Sequence, residues 1–378
     1  MLWSNDEKYL LQALQLANVR RGFCAPNPAV GALVVHQGRV VARGMHWAVG
    51  YPHAEVEALS SIEDQVELKE VTLYVTLEPC CHQGKTPPCV DFIVSFHKVK
   101  RVVFAYYDPN PRVSGQGMAA LKTAGIDCDY HPVAQISSFY RSYRYWVYHR
   151  RPWVTLKLAL SADDKIAGEN GRPVAITGKG CHQLTHRHRF YADGLLTTAQ
   201  TIINDDPRMD VRLPGIRVAK PLFILDRCLR LTHYARAFTM AKSVVIYHAA
   251  DQAPKLIGRH QEKVQHVAIS NHFSGLNLSQ IVDDLGARGL HDIWVEVGAK
   301  AFRSFWELGA INQVIFYRST RSLGKNALPI FSDDFNPLRQ VASVEWHEID
   351  GDEYTQWIVS QESVDMRLPE EKKCRDLE

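Results

Sequence analysis

The chain has 378 residues, of which 46% are hydrophobic and 22% charged, and its formal net charge is +3. That balance belongs to a globular protein of more than one domain, and the charge is too small to argue for a nucleic-acid surface. No apolar run approaches the roughly 20 residues that cross a bilayer, residues 1–8 lack a secretory apolar core, and eight irregularly spread cysteines make no disulfide framework. The expectation is a cytoplasmic protein without a membrane partner.

Residues 6–21 place Leu10, Leu11, Leu14 and Ala17 at helical spacing, which predicts an amphipathic first helix. Segments 31–36 and 40–44 flank Gln37 and Gly38 and read as a hairpin. A short helix begins near His53 and runs through Leu59, and 71–77 is a buried strand. Pro88 in a first turn opens another helix. A strand over 101–106, a helix over 116–124 stopped by Gly125 and a strand over 126–130 follow. The basic-aromatic stretch 141–151 reads as an amphipathic connector with its charges in water.

After Pro152 the pattern restarts. Strands are predicted over 153–160, 194–198, 221–226, 243–247, 292–297 and 313–318, with helices over 179–191, 278–288 and 299–309. Alternating strands and helices mean two α/β domains, placed at 1–145 and 146–365. The charged segment 366–378 is expected as a disordered tail.

His53 and Glu55, then Pro79 and Cys80, then Cys89 carry the sharpest chemical signal. Zinc takes nitrogen and thiolate ligands in a tetrahedron, and a catalytic site keeps one position for water. His53, Cys80 and Cys89 supply three protein ligands of that kind. Glu55 lies two residues past the histidine and is placed to move protons rather than to bind metal. Cys81 and His82 are rival ligands; Cys89 is preferred because a helix start stabilises thiolate. The H-x-E and P-C-x-x-C pattern marks zinc nucleobase deaminases, but here Gln83 stands where its second cysteine would fall.

The stretches 26–31 (PNPAVG), 44–46 (GMH), 53–55 (HAE), 78–89 (EPCCHQGKTPPC) and 108–111 (DPNP) resemble the deaminase half of the bifunctional riboflavin-biosynthesis deaminase–reductases. The wider gap between the two cysteines is also that family's. The resemblance implies a cytidine-deaminase-like three-layer domain. It implies hydrolytic loss of the amine at position two of a diaminopyrimidinone ribosyl phosphate, a small-molecule partner. Asn27, His46, Lys85, Thr86 and Asn110 fall in the motif loops expected around that substrate.

The second half has no G-x-G-x-x-G after a strand. Its candidate site edges are 205–212 (DDPRMDVR) and Glu296 to Gly298, because open α/β sheets bind ligands at strand C-termini. Segments 155–161, 176–177, 193–196, 201–207 and 294–298 resemble the same family's reductase half. That implies a dihydrofolate-reductase-like α/β domain, NADPH as hydride donor, a ribosyl group reduced to ribityl, and a homo-oligomer.

By that resemblance Lys157, Pro173, Arg189, Met209, Arg212 and Glu296 surround the substrate, the two arginines suiting a phosphate. Ala159, Ala175, Thr201, Asp205 and Gly298 lie along the cofactor. The chain departs from the family where Asp164 replaces a turn glycine and where Pro173 and Ala175 replace serine and tryptophan. Those departures raise a second reading, a deaminase whose C-terminal domain is a scaffold or oligomerisation module. A third, a base deaminase holding RNA on 141–151, lacks the shorter cysteine spacing it requires.

Overall fold

A computed structural model of the chain describes residues 5–62, 68–84, 86–232, 234–254, 262–272, 275–332, 334–340 and 345–359. Lys85 and the expected tail at 366–378 lie outside these residues. The chain groups into two units: one is 1–152 with 190–193 and 283–292, the other 153–189, 194–282 and 293–378. No helix among the described residues is long and apolar enough to cross a membrane.

The first unit begins with α1 (Asn5–Arg20), β1 (Gly31–His36), β2 (Arg39–Met45) and α2 (Ala54–Ser60). Then come β3 (Val71–Val75), α3 (Cys89–Ser95), β4 (Val99–Phe104), α4 (Gln116–Thr123) and β5 (Asp127–Tyr130). The five strands are ordered β2-β1-β3-β4-β5, antiparallel as far as β3 and parallel from β3 to β5. After α5 (Ala134–Phe139), the stretch expected as an amphipathic connector is mostly helical, α6 covering Arg141–His149. The predicted elements of this half otherwise stand within two residues of their expected bounds.

Helix α1 buries Leu10, Ala13, Leu14 and Ala17, the spacing that puts one apolar stripe on a helix. Two glycines fix how the layers meet. A Cβ on Gly31 would stand 2.0 Å from the Ala13 carbonyl oxygen of α1, and one on Gly44 2.2 Å from the Ala54 oxygen of α2. Gly44 pairs across the hairpin with Ala32, the neighbour of Gly31. Paired residues share a face and successive residues alternate, so α1 and α2 lie on opposite faces of the sheet. That is a three-layer α/β/α arrangement. With both faces covered, β1 is buried almost throughout rather than alternating.

The second unit starts with β6 (Trp153–Leu160), β7 (Lys165–Glu169), α7 (Lys179–Tyr191), β8 (Gly194–Thr198) and α8 (Ala199–Asp205). It continues with β9 (Val211–Leu213), β10 (Ile216–Val218), β11 (Pro221–Leu225), α9 (Arg236–Met240), β12 (Ser243–Ala249) and β13 (Val264–Ile269). After β14 (Asn271–His272), β15 (Gly275–Leu276) and α10 (Leu278–Ala287) come β16 (Asp292–Glu296), α11 (Ala299–Glu307) and β17 (Gln313–Arg318). The last strands are β18 (Ala327–Pro329), β19 (His347–Ile349) and β20 (Asp352–Ile358).

Nine of these strands make one sheet in the order β13-β12-β11-β8-β16-β6-β17-β20-β19. Strand β6 runs parallel to β17 and β8 parallel to β16, while β20 pairs antiparallel with β17 and with the edge strand β19. Asp164, the residue in place of a turn glycine, has φ 56°. It therefore carries a side chain in the left-handed region, which aspartate tolerates better than most residues, and its carboxylate lies 3.7 Å from Arg318.

Gly44→Ala would press a methyl group onto the Ala54 oxygen and the Ala58 nitrogen, the latter at 2.4 Å, backbone atoms that no rotamer change can move. The expected cost is about 1–3 kcal/mol, as for other overpacked sites, seen as a lower unfolding midpoint. An unchanged midpoint would mean that α2 is not seated against Gly44.

Candidate functional site

In the first unit, His53 takes the extended conformation just before α2, at φ −72° and ψ 161°. Cys80 follows the end of β3, and Cys89 is the first residue of α3. The His53 Nδ1 lies 3.2 Å from the Cys89 sulfur and 3.5 Å from the Cys80 sulfur. All three donor atoms fall within 4.8 Å of one another, and no other such group occurs among the described residues. Zinc bonds of about 2.0 Å to nitrogen and 2.3 Å to sulfur in a tetrahedron require nitrogen–sulfur separations of about 3.5 Å. The residues present therefore fit the metal.

Cys81 directs its thiol to the Gln116 Oε1 at 3.8 Å instead, and His82 is outside the three-residue group.

The surroundings set the protonation of these groups. The hydrogen bond with the Cys89 thiol, together with that to His53, pulls the Cys80 thiol well below the usual thiol range. Sharing that proton and being buried push Cys89 up. The amide nitrogen of Cys89 also donates to the Cys80 sulfur at 3.3 Å. A thiolate at Cys80 is the state a metal needs. Glu55 is 4% exposed, and burial, with the Cys80 charge second, pushes its carboxyl up to about 7. A carboxyl poised near neutrality can take and return a proton.

The imidazole of His53 is held on its far side, where Thr86 Oγ1 lies 3.2 Å from Nε2. Partners of this kind orient a ligand histidine and fix its tautomer. Thr86 thus meets the expected metal ligand directly, a contact the sequence did not suggest.

His46 packs edge-on to His53 at 5.3 Å. Its Nδ1 lies 3.1 Å from the Pro52 carbonyl oxygen and its Nε2 3.1 Å from the Asn27 amide nitrogen. The carbonyl demands a proton on Nδ1, which leaves Nε2 to accept from Asn27, a neutral ring. Burial lowers the His46 pKa in the same sense. Glu57 accepts from the Met45 amide and the Trp47 indole and so clamps the residues on both sides of His46. Asn110 sits beyond the end of β4, and its Oδ1 accepts from the Arg112 amide at 3.2 Å.

In the second unit, the middle of β6, the end of β16 and the last turn of α7 bring Lys157, Glu296 and Arg189 together. Arg189 Nε donates to Glu296 Oε1 at 2.6 Å, and the Trp294 indole donates to the same oxygen at 2.7 Å. Arg189 also donates to the Asp210 carbonyl oxygen at 2.9 Å and approaches the Met209 sulfur at 3.9 Å. Burial pushes the Glu296 carboxyl upward, but Arg189 and Lys157 outweigh it and hold it down to about 2. Lys157 stands with its ammonium 5.3 Å over the Tyr317 ring, and burial lowers its pKa.

Arg212 and Arg208 both pair with the Asp210 carboxylate. They line an open depression of about 440 Å³ with Lys179, His182, Gln183, His186 and Arg217. Asp210, Trp294, Tyr317 and His186 were not singled out in the sequence, although Asp210 and Trp294 lie inside segments that were.

The other expected reductase residues are more dispersed. Thr198 caps α8, its hydroxyl accepting from the Thr201 amide at 3.2 Å. Asp205 closes that helix, and Gly298 precedes α11 in an extended conformation. Ala159 is half-buried on β6, while Pro173 and Ala175 are exposed in the segment leading to α7. No hydrogen bond among the described residues ties Pro173 or Ala175 to the charged cluster.

Residues 3–106 match the cytidine and deoxycytidylate deaminase zinc-binding region, and residues 152–353 match the RibD C-terminal domain. The riboflavin biosynthesis protein RibD of Aquifex aeolicus is 34% identical over 332 residues, which cover 86% of this chain and 90% of that protein. The RibD of Escherichia coli is 30% identical over 335 residues, covering 85% and 89%. Among solved structures, a RibD of Acinetobacter baumannii superposes with a TM-score of 0.81 at 29% identity, covering 94% of this chain and 99% of that one. The deaminase/reductase of Thermotoga maritima gives 0.79 at 30% identity, covering 93% and 98%. The chain belongs to the RibD family of riboflavin biosynthesis, whose members join a zinc-binding deaminase to a reductase.

Proposed function

We propose that the first unit deaminates a diaminopyrimidinone ribosyl phosphate and that the second reduces its ribosyl group with NADPH. The observation that carries the first step is the packing of His53, Cys80 and Cys89 beside a buried Glu55. Zinc held there supplies Lewis-acid polarisation and acidifies water at its open position. Glu55 takes one proton from the attacking water and passes it to the ring nitrogen, then carries the remaining hydroxyl proton of the tetrahedral adduct to the amine, which leaves as ammonia. His46, kept neutral, holds the Asn27 amide in a fixed orientation, so that Asn27 and Asn110 present amide groups to the pyrimidine edge. Thr86 supports the metal ligand, and Lys85, outside the described residues, is the expected phosphate or carbonyl contact.

The second step rests on the cluster of Lys157, Arg189 and Glu296. Burying three charges is expensive unless they are paired and used, which favours a working site over a scaffold. NADPH would supply the hydride, arriving at the first ribose carbon along Ala159, Ala175, Thr201, Asp205 and Gly298. As that carbon is reduced, its bond to the ring oxygen breaks and the oxygen needs a proton. Lys157, with its lowered pKa, is the donor within this cluster. Glu296 and Arg189 fix the sugar hydroxyls, with Met209 and Pro173 as walls. The basic depression around Arg212 fits the substrate phosphate, because its bases are offset there by the single carboxylate of Asp210.

The deciding experiment is mass analysis of the product from the diaminopyrimidine phosphate, with and without NADPH. Deamination raises the mass by about one unit and reduction by about two more. A product carrying both changes only when NADPH is present establishes the pair of reactions, whereas a deaminated product indifferent to NADPH removes the second.

Glu55→Gln should retain zinc and lose turnover by at least about 10²-fold; a near-normal rate takes Glu55 out of the mechanism. Cys89→Ser should lose the metal while Cys81→Ser keeps it, as read by metal analysis, and the reverse pattern would replace one ligand by the other. Glu296→Gln leaves Arg189 and Lys157 buried without their counter-charge, at an expected cost of about 3–5 kcal/mol. Reduction should be abolished and the rate of deamination by folded protein unchanged. Retained reduction would show that this cluster is structural only.

A further inference from the structure

Glu78 lies between the end of β3 and the zinc-ligand position Cys80, is 4% exposed, and stands outside the three-residue metal group. Its carboxylate instead collects three backbone amides from a segment some 30 to 40 residues away. Oε2 accepts from the Gly115 amide at 2.9 Å and the Asp108 amide at 3.4 Å, and Oε1 accepts from the Met118 amide at 3.1 Å. The Glu78 amide donates to the Tyr106 carbonyl oxygen at 2.8 Å.

Two of those amides open α4. The residue at its N-cap is Gly115, at φ 81°, with no side chain to cap the helix. Orphan amides at a helix start need an acceptor, and a negative one is preferred there. Glu78 supplies it from another element. A second close fit reinforces the docking: a Cβ on Gly117 would stand 2.1 Å from the Pro79 carbonyl oxygen. Backbone therefore rests on backbone next to Cys80.

The anchored segment carries Asn110. The Asp108 Oδ1 accepts from the Asn110 amide at 2.8 Å, and the Asn110 carbonyl accepts from the Val113 and Ser114 amides, each at 3.0 Å. From Glu78 to Asn110 the path is a run of hydrogen bonds with no side-chain rotor between Gly115 and the turn. We propose that Glu78 is a positioning residue for deamination, tying the Asn110 turn to the same short segment that carries the metal ligand Cys80. Substrate recognition and the metal are thereby held in one frame, so the ring carbon is presented at a fixed place. The inference rests on the reading that Asn110 meets the substrate.

The test is a double-mutant comparison of Glu78→Gln, Asn110→Ala and the two combined, in the full zinc-loaded enzyme. Zinc content and KM and kcat for deamination of the diaminopyrimidine phosphate are measured for each. Glutamine keeps one oxygen but turns an NH2 group toward the amides, so the expected result is full zinc content with KM raised on the order of tenfold and kcat changed much less. The combined variant should then lose no more than Asn110→Ala alone, because residues acting as a unit are not additive. Losses that multiply, or zinc lost together with kcat, would overturn the proposal. A raised KM in Asn110→Ala with a normal KM in Glu78→Gln sinks this proposal alone; a normal KM in Asn110→Ala sinks it together with the reading of Asn110. If Glu78→Gln does not accumulate as folded protein, Asp108→Ala removes the carboxylate that holds the Asn110 amide and must raise KM with zinc content kept; a normal KM there would overturn the proposal.

Discussion

Two cysteine sulfurs and an imidazole nitrogen within 4.8 Å of one another are an arrangement that repels a second negative charge, and much of the first unit can be understood as the means of holding it together. Each donor sits at the boundary of an element rather than inside one: His53 before α2, Cys80 after β3 and Cys89 at the start of α3. Element ends are where backbone direction changes, so three segments distant in sequence can converge there. The glycines that let α1 and α2 come onto the sheet set the distance of α2 from the strands, and with it the place of His53 and Glu55.

The two sites solve opposite electrostatic problems. Beside the metal group, burial keeps His46 an uncharged ring and holds the Glu55 carboxyl well above the usual carboxylate range. In the second unit a full negative charge on Glu296 is held between Arg189 and Lys157 and fixed by the Trp294 indole. On the proposed reading, Glu55 passes protons back and forth at one site, while at the other Glu296 stays charged and Lys157 releases a proton as the sugar is reduced. Trp294 itself lies flat against His188, with ring centroids 4.8 Å apart and planes 6° from parallel, so the indole that holds Glu296 is itself braced by α7.

Most of the candidate metal group was legible in the sequence because zinc chemistry needs particular residue types in a particular order. His53, Glu55, Cys80 and Cys89 carry that order, and the choice of Cys89 over Cys81 follows from the helix start that Pro88 signals. The layered arrangement of the first unit was equally readable from the alternation of strands and helices. What escaped notice were residues whose roles depend on approach in space. Glu78 reads as part of a motif, yet its partners are backbone amides at 108, 115 and 118, which have no identity in a sequence. Thr86 reads as a substrate contact, and its hydroxyl beside His53 could not be foreseen from its place in the motif. In the second unit the short pair β9 and β10 and the strands β13 and β20 went unpredicted, since edge and hairpin strands carry little apolar signal. The Asp164 turn, by contrast, was anticipated from its missing glycine and does occupy the left-handed region.

Because the three donor atoms come from three separate elements, a metal held by them would act as a cross-link as well as a reagent. Such a ligand set does not persist when the chain unfolds, so the free energy of zinc binding adds directly to the stability of the first unit. By mass action, each tenfold rise of free zinc above its dissociation constant contributes about 1.4 kcal/mol. The fold of the deaminase unit is thereby linked to the zinc supply of its surroundings: scarcity of the metal weakens the architecture that would recapture it, and abundance protects the chain against unfolding before any substrate arrives.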